Sequence, residues 1–139
     1  MLLWHREPIQ ARYLSYNYIV ECLQPLIAHV ERYPALVGSL DRVAALIGSG
    51  AKIQMNAGSV LGREGHRQAK WCRTLLKEQL VHVIASDSHD PVHRLPELDE
   101  CEHYLRKKVG DAYTDALMRD IPMQILSTIE KETGSHAIN

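Results

Sequence analysis

The sequence predicts an α/β fold in which three parallel strands alternate with helices, followed by a helical C-terminus. Three short apolar runs are separated by stretches with the three-to-four-residue period of an amphipathic helix, and each run ends in a polar cluster. This alternation favours right-handed crossovers and a parallel sheet whose functional groups lie at the carboxyl ends of the strands. Three strands are too few to close a barrel, so we expect the C-terminal portion of a larger barrel-like fold.

The first elements are a helix over about residues 9–23 and a short buried strand at Pro25–His29. Pro8 suits the first turn of the helix, and Pro25 stands at the first strand position, where no ladder hydrogen bond is lost. The strand is followed by a polar cluster at Val30–Tyr33.

A second helix and strand come next. The helix is predicted by apolar residues at helical spacing, namely Leu36, Leu40, Val43 and Ile47. Gly48–Gly50 ends this helix, and Ala51–Met55 forms the second strand. A polar turn at Asn56–Ser59 follows, and Gly62 and Gly65 make the next loop conformationally permissive.

The third unit ends in the most informative stretch of the chain, Val81–Asp90. Its helix is marked by Ala69, Cys72, Leu76 and Leu80. The strand runs into Asp87 and His89, which stand two residues apart and therefore point the same way in an extended segment. A loop bracketed by Asp90–Pro91 and Leu95–Pro96 is expected to carry His93 and Arg94.

The remaining chain is predicted to be helical. One apolar stripe comprises Leu98, Cys101, Leu105 and Val109. Gly110–Asp111 breaks this helix, and a last helix begins at Asp120–Pro122 and includes Ile129. We expect residues 133–139 to be frayed.

The composition is that of one soluble globular domain over residues 1–139, with 45% apolar and 24% charged residues. A net charge of −1 gives no sign of nucleic-acid or anionic-membrane binding. No apolar run could span a bilayer or form a signal-peptide core, which favours a cytoplasmic protein. Cys22, Cys72 and Cys101 lack C-x-x-C spacing and fall on apolar helix positions, so we interpret them as small hydrophobic residues.

The polar clusters predict a metal site with anion-binding groups beside it. His29, Asp87 and His89 offer nitrogen and oxygen ligands that suit zinc, manganese or iron. Arg32 and Arg94 offer guanidinium forks that bind phosphate oxygens. Together they indicate metal-dependent phosphoester hydrolysis, although structural histidines in a polar turn and solvent-facing arginines remain the simpler alternative.

Two other mechanisms are excluded. A cysteine-dependent phosphatase needs an arginine six residues after its nucleophile, and here those positions hold Ala28, Glu78 and Lys107. No glycine-rich loop followed by Lys-Ser or Lys-Thr is present to bind a nucleotide.

Four segments are informative together, namely Ala28–Tyr33, Gln54–Ser59, Val81–His89 and Arg94–Pro96. They resemble the manganese-dependent protein-tyrosine phosphatases of Gram-positive capsule and exopolysaccharide loci, which belong to the polymerase and histidinol phosphatase (PHP) superfamily. The resemblance runs from about Glu21 to Ile129.

The resemblance implies a distorted β/α barrel with a trinuclear Mn²⁺ centre, in which His29, Asp87 and His89 correspond to metal ligands. Arg32 and Arg94 correspond to the catalytic, phosphate-binding arginines. The implied substrate is a phosphotyrosine protein, such as the tyrosine kinase of a polysaccharide locus.

The sequence departs from the family pattern at several places. Val30, Ser88, Asp90 and Leu95 replace residues common in the family, which affects loop geometry but removes no ligand. The family's His-x-His pair occurs nowhere in the chain, and its other early ligands would precede Met1. We therefore expect no complete trinuclear site and weak or no activity in this chain alone.

Two alternatives stay open, a non-catalytic phosphate-binding interaction module and a PHP phosphoesterase for a small phosphorylated metabolite. The uncovered edge of a truncated sheet also predicts a homodimer or another edge-paired oligomer.

Overall fold

The structure is a computed structural model, and it describes residues 25–86 and 91–128, with the backbone alone over 91–95. The predicted helix at residues 9–23, the segment Asp87–Asp90 and the predicted frayed tail lie outside the described residues.

A three-stranded parallel sheet forms the centre of the described chain, as predicted. Its strands are β1 (Leu26–Ile27), β2 (Lys52–Asn56) and β3 (Val83–Ala85), in the order β1-β2-β3. In the register, Ile27 lies opposite Ile53, and Met55 lies opposite Ile84. β2 is buried between its two neighbours, so its carboxyl end lies at the middle of the sheet edge.

Helices surround the sheet. In chain order they are α1 (Leu40–Gly48), α2 (Ala57–Val60), α3 (His66–Lys77), α4 (Pro91–Lys108), α5 (Asp111–Asp115), a π-helical turn (Ala116–Asp120) and α6 (121–128). A 3₁₀ turn (Val30–Arg32) follows β1. α1 begins after Ser39, whose hydroxyl accepts the Arg42 N–H over 3.3 Å. Gly65 and Gly110 precede α3 and α5 with φ of 112° and 90°, which favour glycine.

Two predicted irregular segments are helical. The loop expected between Asp90 and Pro96 is the first part of α4. Pro91 stands at the first helical position, where a missing N–H costs nothing, and Pro96 is tolerated inside the helix because Cys101 and Leu105 anchor α4 in the core. The polar turn expected at Asn56–Ser59 instead runs from the last residue of β2, Asn56, directly into α2, which begins at Ala57.

Some element boundaries also differ from the prediction. β1 has only two residues, and β3 begins at Val83 rather than Val81. Leu36 lies in turns before α1, and Leu80 lies beyond α3, yet both contribute to the core. Their apolar character reflects burial rather than helical conformation.

The core is one continuous apolar cluster that joins the sheet to α1, α3, α4 and the π-helical turn. Cys72 and Cys101 are fully buried in it, as expected for small hydrophobic residues. Burial raises the pKa of the Cys101 thiol to about 12, so this thiol is not a nucleophile at neutral pH. Within residues 25–86 and 91–128, we find no helix of the length and apolar character that crossing a membrane requires.

Tyr113 connects α5 to the segment before β3 through two hydrogen bonds. Its hydroxyl donates to the Val81 carbonyl over 2.7 Å and accepts the Val81 N–H over 3.3 Å. We expect Tyr113→Phe to lower the free energy of unfolding by about 1–3 kcal/mol, because it leaves two backbone groups without a partner. Urea unfolding at pH 8 measures this loss, and Tyr104→Phe is a matched control on α4.

The raised pKa of Tyr113 also predicts a change in folding stability at alkaline pH. Burial raises the pKa of Tyr113 from 10.0 to about 12, although its hydrogen bond with Val81 acts in the opposite direction. Above pH 10 the unfolded chain therefore releases this proton first, and folding stability falls until about pH 12. The gap in stability between the wild type and Tyr113→Phe should narrow between pH 8 and pH 11. A constant gap would contradict this assignment.

Candidate functional site

The carboxyl edge of the sheet brings polar residues together. His29 follows β1, Asn56 ends β2 and Ser86 follows β3. The His29 Nδ1 atom lies 2.9 Å from Asn56 Oδ1, which joins the first two strand ends directly. The polar clusters at the ends of β1 and β2 therefore meet at one place in the structure.

His29 has an unusual backbone conformation for a residue with a side chain. Its φ of 56° and ψ of 47° place it in the left-handed region, and its N–H donates to Gln54 Oε1 over 2.8 Å. This bond turns the chain out of β1 and into the 3₁₀ turn (Val30–Arg32). The predicted site residues His29 and Arg32 are thus carried by one tight turn beside β2.

Glu31 is a buried acid in this turn, with 3% of its surface exposed. Its Oε1 atom accepts the Asn56 N–H over 3.1 Å. Burial raises the pKa of Glu31, although hydrogen bonds from the backbone amides of Glu31 and Asn56 lower it. Glu31 thus ties the turn after β1 to the start of α2.

The role of Glu31 is not visible in the sequence, because a glutamate after a strand resembles an ordinary surface charge. The available signal was that Gln54 and Asn56 alternate with apolar residues in a strand that is buried from Ile53 onward. Buried polar groups need hydrogen-bond partners. Here His29 bonds the side chains of Gln54 and Asn56, and Glu31 accepts the Asn56 backbone N–H.

Arg32 is exposed on the same turn. Its Nη2 atom donates to Glu64 Oε1 over 2.7 Å, and about two fifths of each side chain is exposed. Such a surface ion pair contributes less than about 1 kcal/mol, so a phosphate with two negative charges can displace Glu64. The predicted phosphate-binding residue is therefore accessible to a substrate.

A second polar group lies beyond β3. Ser86 donates its hydroxyl hydrogen to Glu97 Oε2 over 3.2 Å, and Arg63 Nη1 lies 3.1 Å from Glu97 Oε1. A Cβ atom added at Gly58 would collide with Glu97 Oε1, so a larger residue at this position would require the Glu97 carboxylate to shift. Sequence reasoning did not identify this group, because Glu97 comes from a helix that follows the strand.

The other predicted site residues are not placed. Asp87 and His89 lie outside the described residues, and the side chain of Arg94 does too, although its backbone belongs to the first part of α4. In the part of the chain that the structure describes, no three His, Cys, Asp or Glu side chains converge to hold a metal.

The donor chemistry of the described edge is compatible with a metal. His29 supplies an imidazole. Three buried atoms beside it, Glu31 Oε2, Asn56 Nδ2 and Ser59 Oγ, form no hydrogen bond of good geometry with the described residues. This edge therefore has polar atoms that remain available to bind a ligand in addition to their contacts within the protein.

A cavity of about 430 Å³ lies elsewhere, between the carboxyl ends of α3 and α4. It is lined by Arg73, Lys77, Tyr104 and Lys108, among others. The carboxyl end of α3 leads into the amino end of β3, so this cavity lies near the amino edge of the sheet, opposite the carboxyl edge where His29 lies. It does not belong to the candidate site.

Comparisons with known proteins agree on one family. A family profile described as "Capsular polysaccharide synthesis, CpsB/CapC" matches residues 9–127. The tyrosine-protein phosphatase CpsB of Streptococcus pneumoniae is 34% identical over an alignment of 115 residues, which covers 79% of this chain and 47% of that protein. The tyrosine-protein phosphatase YwqE of Bacillus subtilis is 29% identical over 103 residues, covering 74% and 41% respectively.

A solved structure is also similar. It comes from a study of YwqE from Bacillus subtilis and CpsB from Streptococcus pneumoniae, described as unique metal-dependent tyrosine phosphatases. The match has a TM-score of 0.70 and 28% identity, over 78% of this chain and 44% of the other. The chain spans about half the length of the curated relatives it matches.

Proposed function

Because this chain belongs to the CpsB/CapC family of capsular polysaccharide synthesis, we propose that it acts in the metal-dependent hydrolysis of phosphotyrosine in proteins. One observation supports this most: the turn after β1 carries both His29, bonded to Asn56, and the accessible guanidinium of Arg32. A metal ligand and a phosphate-binding group three residues apart suit a phosphoester site. The three parallel strands are consistent with part of a PHP-type β/α barrel.

The proposed metal ligands of this chain are His29, Asp87 and His89, and the proposed metal is Mn²⁺. When bound, such a metal supplies an activated water and neutralises charge on the phosphoryl group. Arg32 and Arg94 bind and orient the phosphoryl oxygens, and their fixed charge stabilises the negative charge that develops there. Glu31 holds the turn that carries His29 and Arg32 against β2.

The proposed partner is a phosphotyrosine protein, such as the tyrosine kinase of a polysaccharide locus, in the cytoplasm. We also propose that the chain forms a homodimer or edge-paired oligomer, which sedimentation velocity tests directly.

The experiment compares phosphate release by the purified chain from a phosphotyrosine peptide, a phosphoserine peptide and sugar phosphates, with Mn²⁺ and with EDTA. Release that requires the metal and prefers phosphotyrosine supports the proposal, even if turnover is slow. Peptide binding without any turnover would instead identify a phosphate-binding module. Preferential hydrolysis of sugar phosphates would identify a metabolite phosphoesterase.

A further inference from the structure

We propose that Gln54 and Asn56 are positioning residues that hold the His29 imidazole as the tautomer protonated at Nδ1. These two side chains and His29 form a closed circuit of hydrogen bonds, which begins at the His29 backbone and returns to the His29 ring. The proton on Nδ1 follows from the circuit alone. Its use in metal binding rests on the proposed function.

The direction of each bond follows from the His29 backbone N–H, because a backbone N–H can only donate. The His29 N–H lies 2.8 Å from the Gln54 side chain, so the atom it meets must be the amide oxygen, Oε1. The other end of Gln54 is then its NH₂ group. Its bond of 2.9 Å to the Met55 carbonyl, which can only accept, agrees with this orientation.

The Gln54 NH₂ group orients Asn56 in turn. Nε2 of Gln54 lies 3.2 Å from the Asn56 side chain, so the nearer Asn56 atom must be the oxygen, Oδ1. The same Oδ1 lies 2.9 Å from His29 Nδ1. An amide oxygen can only accept, so Nδ1 carries a proton, and in a neutral ring the lone pair is then on Nε2. A reversed Asn56 amide would place its NH₂ group against that of Gln54.

Burial makes this circuit stiff. Gln54 and Asn56 are 7% and 2% exposed, so water cannot replace the bonds at low cost. The bond from the His29 N–H also supports a left-handed backbone conformation that is unfavourable for a residue with a Cβ atom. Gln54 thus sets the backbone of His29, and Asn56 sets its ring.

The tautomer matters because a metal binds an imidazole through a nitrogen that has a lone pair. Histidine ligands commonly donate their other ring N–H to a second group, which fixes the orientation of the ring. Asn56 is that second group for His29, and Nε2 is the nitrogen that would face a metal. The amide of Asn56 does this without adding a negative charge to the site.

His82 supplies an internal reference with the opposite tautomer. Its Nδ1 atom accepts the Ile53 backbone N–H over 3.0 Å, so Nδ1 must have the lone pair and Nε2 the proton. Burial, with a smaller contribution from the charge of Lys52, lowers the pKa of His82 and keeps this ring neutral. One spectrum of the metal-free chain should therefore show both histidine tautomers.

The test is a two-bond ¹H–¹⁵N correlation spectrum of the histidine rings in the metal-free full chain at pH 8. We expect His29 to be protonated at Nδ1 and His82 at Nε2. Asn56→Leu should shift His29 toward the Nε2–H form and leave His82 unchanged. Asn56→Asp should keep the Nδ1–H form, because its carboxylate still accepts both bonds. A wild-type His29 protonated at Nε2 would overturn the inference, whichever variants fold.

Metal affinity separates this inference from the proposed function. Competition of the chain with a chelating dye for Mn²⁺ should show about 10- to 100-fold weaker binding in Asn56→Leu, and Asn56→Asp should restore it. If Asn56→Leu changes the tautomer of His29 but not the Mn²⁺ affinity, His29 is not a metal ligand. That result would remove His29 from the proposed metal site but would leave the tautomer assignment intact. An Asn56→Leu spectrum identical to that of the wild type would overturn the positioning role itself.

Discussion

Replacing Arg32 with alanine is expected to weaken binding of a phosphotyrosine peptide about 30-fold and to lower kcat/KM at least as much. Arg32 forms a surface ion pair with Glu64, and both side chains are partly exposed. A phosphate on the guanidinium instead receives charge-assisted hydrogen bonds, each worth about 1.5–3 kcal/mol. Fluorescence anisotropy with a labelled peptide measures the affinity, with and without EDTA. The loss should persist in EDTA, because the guanidinium binds phosphate without help from a metal.

Two control variants make this test specific. Arg119→Ala removes the same charge from a helix-surface pair with Asp115 and Asp120, and should change binding by less than about 2-fold. Glu64→Gln removes the group that competes for Arg32 and should tighten binding by about 2- to 5-fold. Equal losses in Arg32→Ala and Arg119→Ala would show that only net charge matters, and would remove Arg32 from the site.

Ile53→Ala is expected to lower the free energy of unfolding by about 2–5 kcal/mol. Ile53 is 0% exposed on the central strand, opposite Ile27 on β1. Truncation removes apolar contacts and leaves a cavity that two neighbouring strands cannot close without losing register. Urea unfolding followed by circular dichroism measures the change.

Leu26→Ala is the matched control for this truncation. Leu26 is 45% exposed on the neighbouring strand, so the same kind of change should cost less than about 1 kcal/mol. If the two variants lose the same stability, β2 does not lie at the centre of the core.

Much of the fold could be predicted because burial leaves a periodic trace in the sequence. The apolar runs before His29, before Asn56 and before Ser86 all form parallel strands, and the apolar stripes of α1, α3 and α4 all face the core. Where the predicted secondary structure was wrong, tertiary packing outweighed the local conformational preference of a residue. Pro96 is a helix breaker in isolation, but the packing of α4 against the core exceeds the loss of one hydrogen bond.

The candidate site was harder to predict, because its contacts join residues far apart in the chain. Gln54 and Asn56 could be recognised only as polar residues in a buried strand. Their partners His29 and Glu31 are about 25 positions earlier, and no local pattern links them. The bond of Ser86 to Glu97 depends likewise on how α4 packs beside β3.

By itself, the sequence determined which residues are apolar, where strands and helices alternate, and that His29 and Arg32 follow a strand three residues apart, because these are properties of short segments. The tertiary structure alone decided that Glu31 is buried, that Arg32 pairs with Glu64, and that the His29 ring meets Asn56 Oδ1. The physical reason is that a hydrogen bond depends on the position and direction of both partners. Here the sheet register and the left-handed turn at His29 set that geometry.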